Sequence, residues 1–200
     1  LWGQRLRPFW RLHADLYRAL SRRFLEAGEN YLSSEVAEEG GEFFGDDVPL
    51  LLTRALAMAR SGAPQAAQAL LARKEAVLAD AEEAKSLMAR TFKDLWKSSG
   101  DRRPLERAFD LYFLDYKTTK GDRTFPGVNA ASMALFLGET TDARRIAGEV
   151  LDILGAKADT SSYWDQVTRA ECLLVSGRIE EARRAYAEAS AGGQVPHAHL

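Results

Sequence analysis

The sequence contains few residues of the kinds that build disulfide-linked, metal-binding or membrane-spanning proteins. Its one cysteine, Cys172, excludes an internal disulfide and indicates a reducing compartment, so we expect a cytoplasmic protein. No apolar run approaches the roughly 18–20 residues that a membrane-spanning helix needs, so no membrane partner is expected. His197 and His199 stand close together but lack two further ligands at a suitable spacing. We therefore expect neither a bound metal nor a cofactor.

Catalytic motifs are missing as well. No glycine-rich phosphate loop precedes a Lys-Ser or Lys-Thr pair, and no Gly-x-Ser-x-Gly nucleophile elbow occurs. The adjacent acids Glu38-Glu39 and Glu180-Glu181 are typical of a helix surface. Cys172 has no histidine nearby and is expected to lie in the core. The sequence thus predicts a protein that is not an enzyme.

Charge is balanced over the whole chain but divided unevenly near its start. The composition is 46% hydrophobic and 28% charged, which is typical of a globular chain, and the net charge of −2 gives no support for binding long nucleic acids. Residues 1–28 contain six arginines against two acids, whereas residues 29–47 contain seven acids and neither lysine nor arginine. We therefore expect no long nucleic acid as a partner, and the charge pattern does not indicate which other partner the protein has.

Glycine recurs at a spacing that predicts a helical repeat of the tetratricopeptide type. Five glycines follow one another at intervals of 34, 38, 38 and 39 residues, each between two helical patterns. Glycine suits the turn of a helical hairpin because it adopts a left-handed backbone without a Cβ clash. Mostly small residues stand five places after and seven places before each glycine, as required where two helices touch. The glycines are Gly28, Gly62, Gly100, Gly138 and Gly177; the residues at +5 are Ser33, Ala67, Leu105, Ala143 and Ala182; those at −7 are Ser21, Ala55, Lys93, Ala131 and Ala170.

The repeats predict an all-α fold, namely a tetratricopeptide-like α-α solenoid of about five helical hairpins. We expect a single domain over residues 1–192 and a tail or linker over residues 193–200, and no strand pattern of any length competes. The clearest predicted helices cover residues 8–27, 30–44, 50–60, 80–97, 105–117 and 140–154.

Several predicted helices begin at residues that favour a helix N-terminus. Asp47 is expected to cap the helix that follows it, and Thr140 to cap the partner helix of the fourth hairpin. Pro126 fits the first position of a helix, because its missing N–H would have no acceptor there. Ser162 and Asp165 match a capping box before the last hairpin.

Three segments of the chain, in this order, resemble one family of regulatory domains. They are Arg90-Thr91-Phe92-Lys93-Asp94-Leu95-Trp96, Phe125-Pro126-Gly127-Val128-Asn129-Ala130-Ala131 and Tyr163-Trp164-x3-Thr168-x2-Glu171-x2-Leu174. Together they resemble the tetratricopeptide-like central regulatory domain of the apoptosis signal-regulating kinases. They resemble still more a related bacterial sensor domain, sometimes called TRAFs-binding, that accompanies effectors in conflict systems. The resemblance covers residues 9–189, and the chain departs from the family pattern in having Thr124-Phe125 where Tyr-Tyr usually precedes Pro-Gly.

The resemblance implies a sensory domain that controls an effector and binds a small polar, nucleotide-derived ligand. The effector would lie in the same chain or a partner chain. Because the chain begins without a methionine, we expect the effector to lie outside residues 1–200. The family's rule for the concave groove of such repeats places there Asp15, Arg18, Arg22, Arg90, Thr91, Asp94, Lys97, Phe125, Asn129, Trp164, Thr168 and Glu171.

Ligand contacts are implied for a smaller set of these groove residues. Arg90 and Lys93 would bind a phosphate or carboxylate. Asn129 would contact an amide or a base edge, and Trp164 would stack on a ring. The full implied site consists of Arg90, Lys93, Asp94, Asn129, Trp164, Thr168 and Glu171.

Simpler interpretations of the same residues stay open. Arginines on a helix usually form a solvated face. Trp164 could pack between the two helices of its hairpin instead of stacking on a ligand, and Asn129 could simply cap its helix. Lys93 stands where the other repeats have small residues. Either the third hairpin is spread apart locally, or the ammonium pairs with an acid such as Asp94 or Glu171, because a buried unpaired ammonium is too costly.

Other functions also stay open. The same groove could hold a peptide or a sister domain, which would make the protein an interaction scaffold. An enzyme would need a catalytic group that the sequence does not reveal. Terminal repeats with uncovered apolar faces would favour a homo-oligomer.

Overall fold

The structure, a computed structural model, describes residue 3 and residues 7–119, 123–156 and 162–191. These residues are helical for most of their length and contain no strand. They form two compact units, a first unit that ends at Leu95 and a second unit that begins at Trp96. The all-α prediction is confirmed.

The first unit consists of a short 3-10 helix, five α-helices and most of a sixth. Helix α1 packs against α2 and α3, and α3 packs in turn against α2 and α4. One hydrophobic cluster surrounds Tyr17, and another surrounds Leu51 and Leu70. The elements are the 3-10 helix Pro8–Leu12, α1 (Ala14–Glu26), α2 (Asn30–Phe44), α3 (Val48–Arg60), α4 (Pro64–Arg73), α5 (Glu75–Leu78) and α6 (Glu82–Ser99).

The second unit contains the remaining five helices. Helix α8 contacts α7, α9 and α10, so every residue from 126 to 134 is buried, and α10 also packs against α9 and α11. A largely apolar composition suits a helix whose middle is covered by three neighbouring helices. The helices are α7 (Arg102–Thr118), α8 (Thr124–Leu137), α9 (Thr140–Gly155), α10 (Tyr163–Val175) and α11 (Ile179–Ala191).

The predicted turn glycines have the backbone that the repeat requires. All five have positive φ angles, which a residue with a Cβ rarely adopts. The residues at +5 are all buried, and at −7 four are buried while Lys93 is partly exposed. The φ angles are 79° at Gly28, 84° at Gly62, 70° at Gly100, 87° at Gly138 and 79° at Gly177.

The predicted helix over residues 8–27 is interrupted, and this prediction is wrong. The 3-10 helix ends at an extended residue, His13, with φ −136° and ψ 95°. In one continuous helix, Trp10 and Tyr17 would stand about 10 Å apart along the axis. The break instead brings their rings edge to face at 5.5 Å and leaves Trp10 only 4% exposed. Burial of the indole therefore accompanies the break.

Two of the four predicted helix starts are confirmed. The Asp47 side chain accepts a hydrogen bond from the Leu50 N–H, and Ser162 and Asp165 form a capping box. The other two are wrong. Pro126 is the third residue of α8, where an N–H would also have no acceptor within the helix. Thr140 is the first residue of α9 rather than its cap; the cap position is Glu139, which makes no side-chain capping hydrogen bond.

Some predictions fall on residues outside the described ranges. These are the tail or linker over residues 193–200 and, within it, the pair His197 and His199. Among the helices that the structure does describe, none is long and apolar enough to cross a bilayer.

Candidate functional site

The predicted site residues of the first unit lie on helix α6. Arg90 and Asp94 are one turn apart, and the arginine Nε lies 3.5 Å from the aspartate Oδ2. Their side chains are 32% and 22% exposed, so the ion pair is partly removed from water. Lys93, between them in sequence, is partly exposed. A charged, half-buried cluster therefore stands on the second half of α6.

A second arginine, which the sequence analysis missed, lies close to this cluster. Arg60 occupies the last turn of α3, and burial lowers the pKa of its guanidinium, as does the positive charge of Arg90. One hydrophobic cluster includes Leu51 of α3 and Leu87 of α6, together with residues of α4 and α5. The first unit thus brings the two guanidinium groups within range of each other's charge. The sequence does contain a signal for Arg60, because it stands two residues before the turn glycine Gly62, at the end of the first helix of its hairpin.

Thr91 was expected in the groove, and that expectation is wrong. It is fully buried, and its hydroxyl donates a 2.6 Å hydrogen bond to the Met88 carbonyl. Neighbouring residues of an α-helix point about 100° apart, so Thr91 turns away from the side that Arg90 occupies.

Asn129 of the second unit, which was expected in the groove, is also buried. The residue is only 6% exposed, and its side-chain N–H donates a 2.9 Å hydrogen bond to the Phe125 carbonyl one turn earlier. Three helices surround α8, so an amide on this helix finds its partner in the helix backbone. A ligand contact at Asn129 stays a prediction, and the packing favours a structural role.

The other predicted residues of the second unit share one face of α10. Trp164, Thr168 and Glu171 are spaced by four and three residues, which places them above one another on a helix. Trp164 is 47% exposed, and its ring meets that of Tyr163 edge to face at 5.1 Å. Glu171 accepts a 2.7 Å hydrogen bond from the hydroxyl of Ser132 on α8.

Two aromatic rings on α8 are exposed as well. Phe125 and Phe136, at the two ends of α8, are 50% and 58% exposed. The ring of Phe136 lies 4.9 Å from that of Trp96. The second unit therefore offers ring surfaces and the carboxylate of Glu171, whereas the first unit offers guanidinium groups.

The groove residues predicted on α1 are engaged in ion pairs. Arg18 donates to both carboxylate oxygens of Asp47, at 3.1 and 3.0 Å, and also pairs with Asp15. Arg22 pairs with Glu26 on the same helix at 3.1 Å. The contact between Arg18 and Asp47 ties α1 to the start of α3. That Arg90 and Trp164 share one groove stays a prediction.

Known proteins resemble the chain in family and in fold. The family model described as Tetratricopeptide Repeats-Sensor matches residues 18–134. No curated protein matches the sequence. TTC0263, a thermophilic tetratricopeptide protein of Thermus thermophilus, is 17% identical, with 88% of this chain and 90% of that chain covered and a TM-score of 0.72.

Two further structures have the same kind of fold. A putative kinesin light chain of Podosopora anserina with tetratricopeptide-like repeats is 17% identical, over 88% of this chain and 92% of that chain, with a TM-score of 0.60. MamA of Desulfovibrio magneticus RS-1 is 12% identical, over 89% and 93%, with a TM-score of 0.59. At these identities the similarity shows the fold alone.

The structural matches confirm the predicted tetratricopeptide-like α-α solenoid. The family match extends over more than half of the 200 residues and includes α2 to α7 entirely. The chain therefore belongs to the Tetratricopeptide Repeats-Sensor family.

Proposed function

We propose that this domain is a non-catalytic sensor that binds a small anionic ligand and thereby controls an effector. The ligand would be nucleotide-derived, with its phosphate held at Arg60 and Arg90. The observations that carry the proposal are the half-buried charged cluster of Arg90 and Asp94 on α6 and the effect of the Arg90 charge on the guanidinium of Arg60 on α3. Tetratricopeptide-type domains typically mediate protein interaction or sensing, and the proposal assigns this one to sensing.

The arginine pair supports the proposal through its electrostatics. Like charges repel, so the charge of Arg90 disfavours the charged form of Arg60. Asp94 offsets part of this repulsion near Arg90. A phosphate would offset more of it, because arginine binds phosphate through two parallel hydrogen bonds. Anion binding is thus favoured where the fold holds two cations partly out of bulk water.

Control of an effector requires more than binding. A ligand shifts a conformational equilibrium only if it binds one conformation more tightly than the other. Arg60 and Arg90 stand on different helices, so an anion that contacts both would tighten the packing of α3 against α6. The resemblance to sensors of conflict systems suggests a bacterial defence effector as the recipient of that change.

Calorimetric titration would test the binding step. We expect ATP and ADP to bind the wild-type protein, and adenosine, which lacks phosphate, to bind much more weakly. Arg90→Ala and Arg60→Ala should each weaken binding about tenfold or more, the loss of one charge-assisted contact. Arg103→Ala, an equal change at an exposed position on α7, should have no effect. Absence of binding by any phosphate compound, or equal binding by all variants, would contradict the proposal.

A protein-binding role is the second candidate, and the exposed rings of the second unit favour it. Phe125, Phe136 and Trp164 are each close to half exposed, and exposed aromatic side chains often mark interaction surfaces. A partner that is retained on a column by the wild-type protein, and lost when Trp164 is replaced by alanine, would support this role.

A further inference from the structure

The first unit has a shallow groove lined by residues of α2, α3 and α4 and of the turn between α2 and α3. Its volume is about 280 Å³. The floor is apolar and consists of Ala37, Leu50, Leu51 and Leu70. The bare backbone of Gly41 forms part of one wall, on α2. The groove involves neither Arg60 nor Arg90, and so it is separate from the proposed ligand site.

Gly41 is the feature of the groove that internal packing does not explain. The preceding residue, Gly40, is required, because a Cβ there would lie 2.8 Å from both Tyr17 Cβ and Leu50 Cδ1. A Cβ on Gly41 would meet no atom within 4 Å. A glycine inside a helix costs about 1 kcal/mol relative to alanine. A glycine that the fold does not need, placed on a groove, leaves room for the close approach of a partner.

The wall of the groove carries more negative charge than its own cations neutralise. Arg54 pairs with Glu38, and Lys74 pairs with Asp46 at 2.5 Å. Within the described part of the chain, Glu42 makes neither a hydrogen bond nor an ion pair. Residues 29–47, which include all of α2, contain seven acids and no lysine or arginine. The groove therefore combines an apolar floor with an unneutralised carboxylate on its rim.

We propose that this groove binds a basic peptide segment of a partner protein. The aliphatic stem of a lysine or arginine would lie on the floor formed by Leu50 and Leu70, against the backbone of Gly41. Its charged end would reach Glu42. Long basic side chains bind in this way because an apolar stem and a cationic end can each meet a matching surface. Charge complementarity thus selects a basic segment.

Fluorescence anisotropy with a defined probe tests the proposal. The probe is a fluorescein-labelled hexapeptide of alternating leucine and arginine. We expect the wild-type protein to bind it, and binding to weaken as salt is raised from about 0.05 to 0.5 M, because salt screens the carboxylates. Gly41→Leu should weaken binding about tenfold by filling the groove, and Glu42→Arg should weaken it by a similar factor. Circular dichroism should show unchanged helix content, since a side chain at position 41 meets open space.

Two control variants carry the same kinds of substitution at positions outside the groove. Gly148→Leu places leucine on another open helical glycine, and Glu180→Arg reverses another exposed acid. Both should bind the probe like wild type. So should Arg90→Ala, which separates this site from the sensor site.

Three outcomes would overturn the proposal. One is no binding by the wild-type protein. Another is loss of binding in Glu42→Arg alone, which would indicate attraction by charge without a groove. The third is a wild-type dimer that Gly41→Leu dissociates while the probe does not bind, since the groove would then hold a second copy of the chain.

Discussion

Ser132 on α8 donates a 2.7 Å hydrogen bond to Oε1 of Glu171 on α10. Both residues stand six places before the turn glycine of their repeat, so the bond joins equivalent positions on the first helices of consecutive hairpins. It is partly buried, and its acceptor is a carboxylate, which makes it stronger than a bond between neutral groups. The contact fixes the spacing of the face that also presents Trp164.

Removing this bond should destabilise the second unit. We expect Ser132→Ala to lower the free energy of unfolding by about 1–2 kcal/mol, because the carboxylate would lose a donor in a half-buried place. Urea denaturation followed by circular dichroism measures the change. Ser190→Ala, whose hydroxyl only bonds the Tyr186 carbonyl of its own exposed helix, should change stability by less than about 0.5 kcal/mol. Equal effects from the two substitutions would contradict the assignment.

A buried hydroxyl in the first hairpin should behave in the opposite way. Ser33 is fully buried, and its Oγ has no hydrogen-bond partner among the described residues. Ser33 stands five residues after its turn glycine, and three of the other four repeats have alanine there. We expect Ser33→Ala to stabilise the protein by about 1 kcal/mol, since it removes an unsatisfied polar group. Ser21→Ala is the matched control: this serine is equally buried but donates to the Arg18 carbonyl, so its removal should give no gain.

The fold was predictable because its strongest signals are local. A positive-φ glycine at a hairpin turn and a small residue at a helix crossing each follow from sterics within one repeat, and all five glycines confirm this. The short helix α5 was not predicted, because residues 75–78 show no periodicity over so few positions. The bend at His13 was missed for another reason. It depends on the contact between Trp10 and Tyr17, which sequence spacing alone does not reveal.

Close packing at one helical glycine should make it intolerant of substitution. A Cβ on Gly127 would lie 2.6 Å from Val150 Cγ2 and 2.9 Å from the ring of Tyr116. We expect Gly127→Ala to destabilise the protein by about 1–3 kcal/mol, the usual cost of overpacking. A Cβ on Gly148 of α9, by contrast, would meet no atom within 4 Å. Gly148→Ala should therefore stabilise the protein by about 0.5–1 kcal/mol. Thermal unfolding of the two variants should therefore shift in opposite directions.

The candidate site was less predictable than the fold. Periodicity located helices such as α3 and α6, but it did not show which side of each helix neighbouring helices would cover. Thr91 and Asn129 were expected to face the groove and are buried, whereas Ser132 and Arg60 were missed. Position within the repeat does not predict which residues of α8 are buried, because this helix packs against three others. Lys93 is partly exposed where other repeats have buried small residues, and its role stays a prediction.

The link between α1 and α3 should depend on pH. Burial would raise the pKa of Asp47, but hydrogen bonds from Arg18 and from the Leu50 N–H outweigh this and lower it. A lowered folded-state pKa gives stability that is present above the unfolded value of about 3.9 and is lost as pH falls through the folded value. Asp47→Asn, which keeps a capping group but no charge, should cost about 1 kcal/mol at pH 7.

That difference from wild type should shrink toward zero in acid. Urea denaturation at pH 7, 5, 4 and 3 measures it. Asp101→Asn serves as the control, because the Asp101 side chain makes no capping hydrogen bond to α7. A difference for Asp47→Asn that stays constant down to pH 3 would show that its charge does not contribute.

The thiol of Cys172 should be almost unreactive in the folded protein. Burial, and then the negative charge of Glu171, raise its pKa to about 12. At pH 8 the thiolate fraction is then more than about a thousandfold below that of an unfolded chain with a pKa near 8.5, and the thiolate is the reactive form. Labelling with a disulfide reagent should therefore be at least that much slower without denaturant than with it. The raised pKa also means that the folded state keeps a proton that the unfolded chain releases, so stability should fall as pH rises from about 8.5 to 12. Cys172→Ala should weaken that alkaline loss. Labelling of the folded protein within tenfold of the unfolded rate would instead mean that α10 opens readily toward solvent.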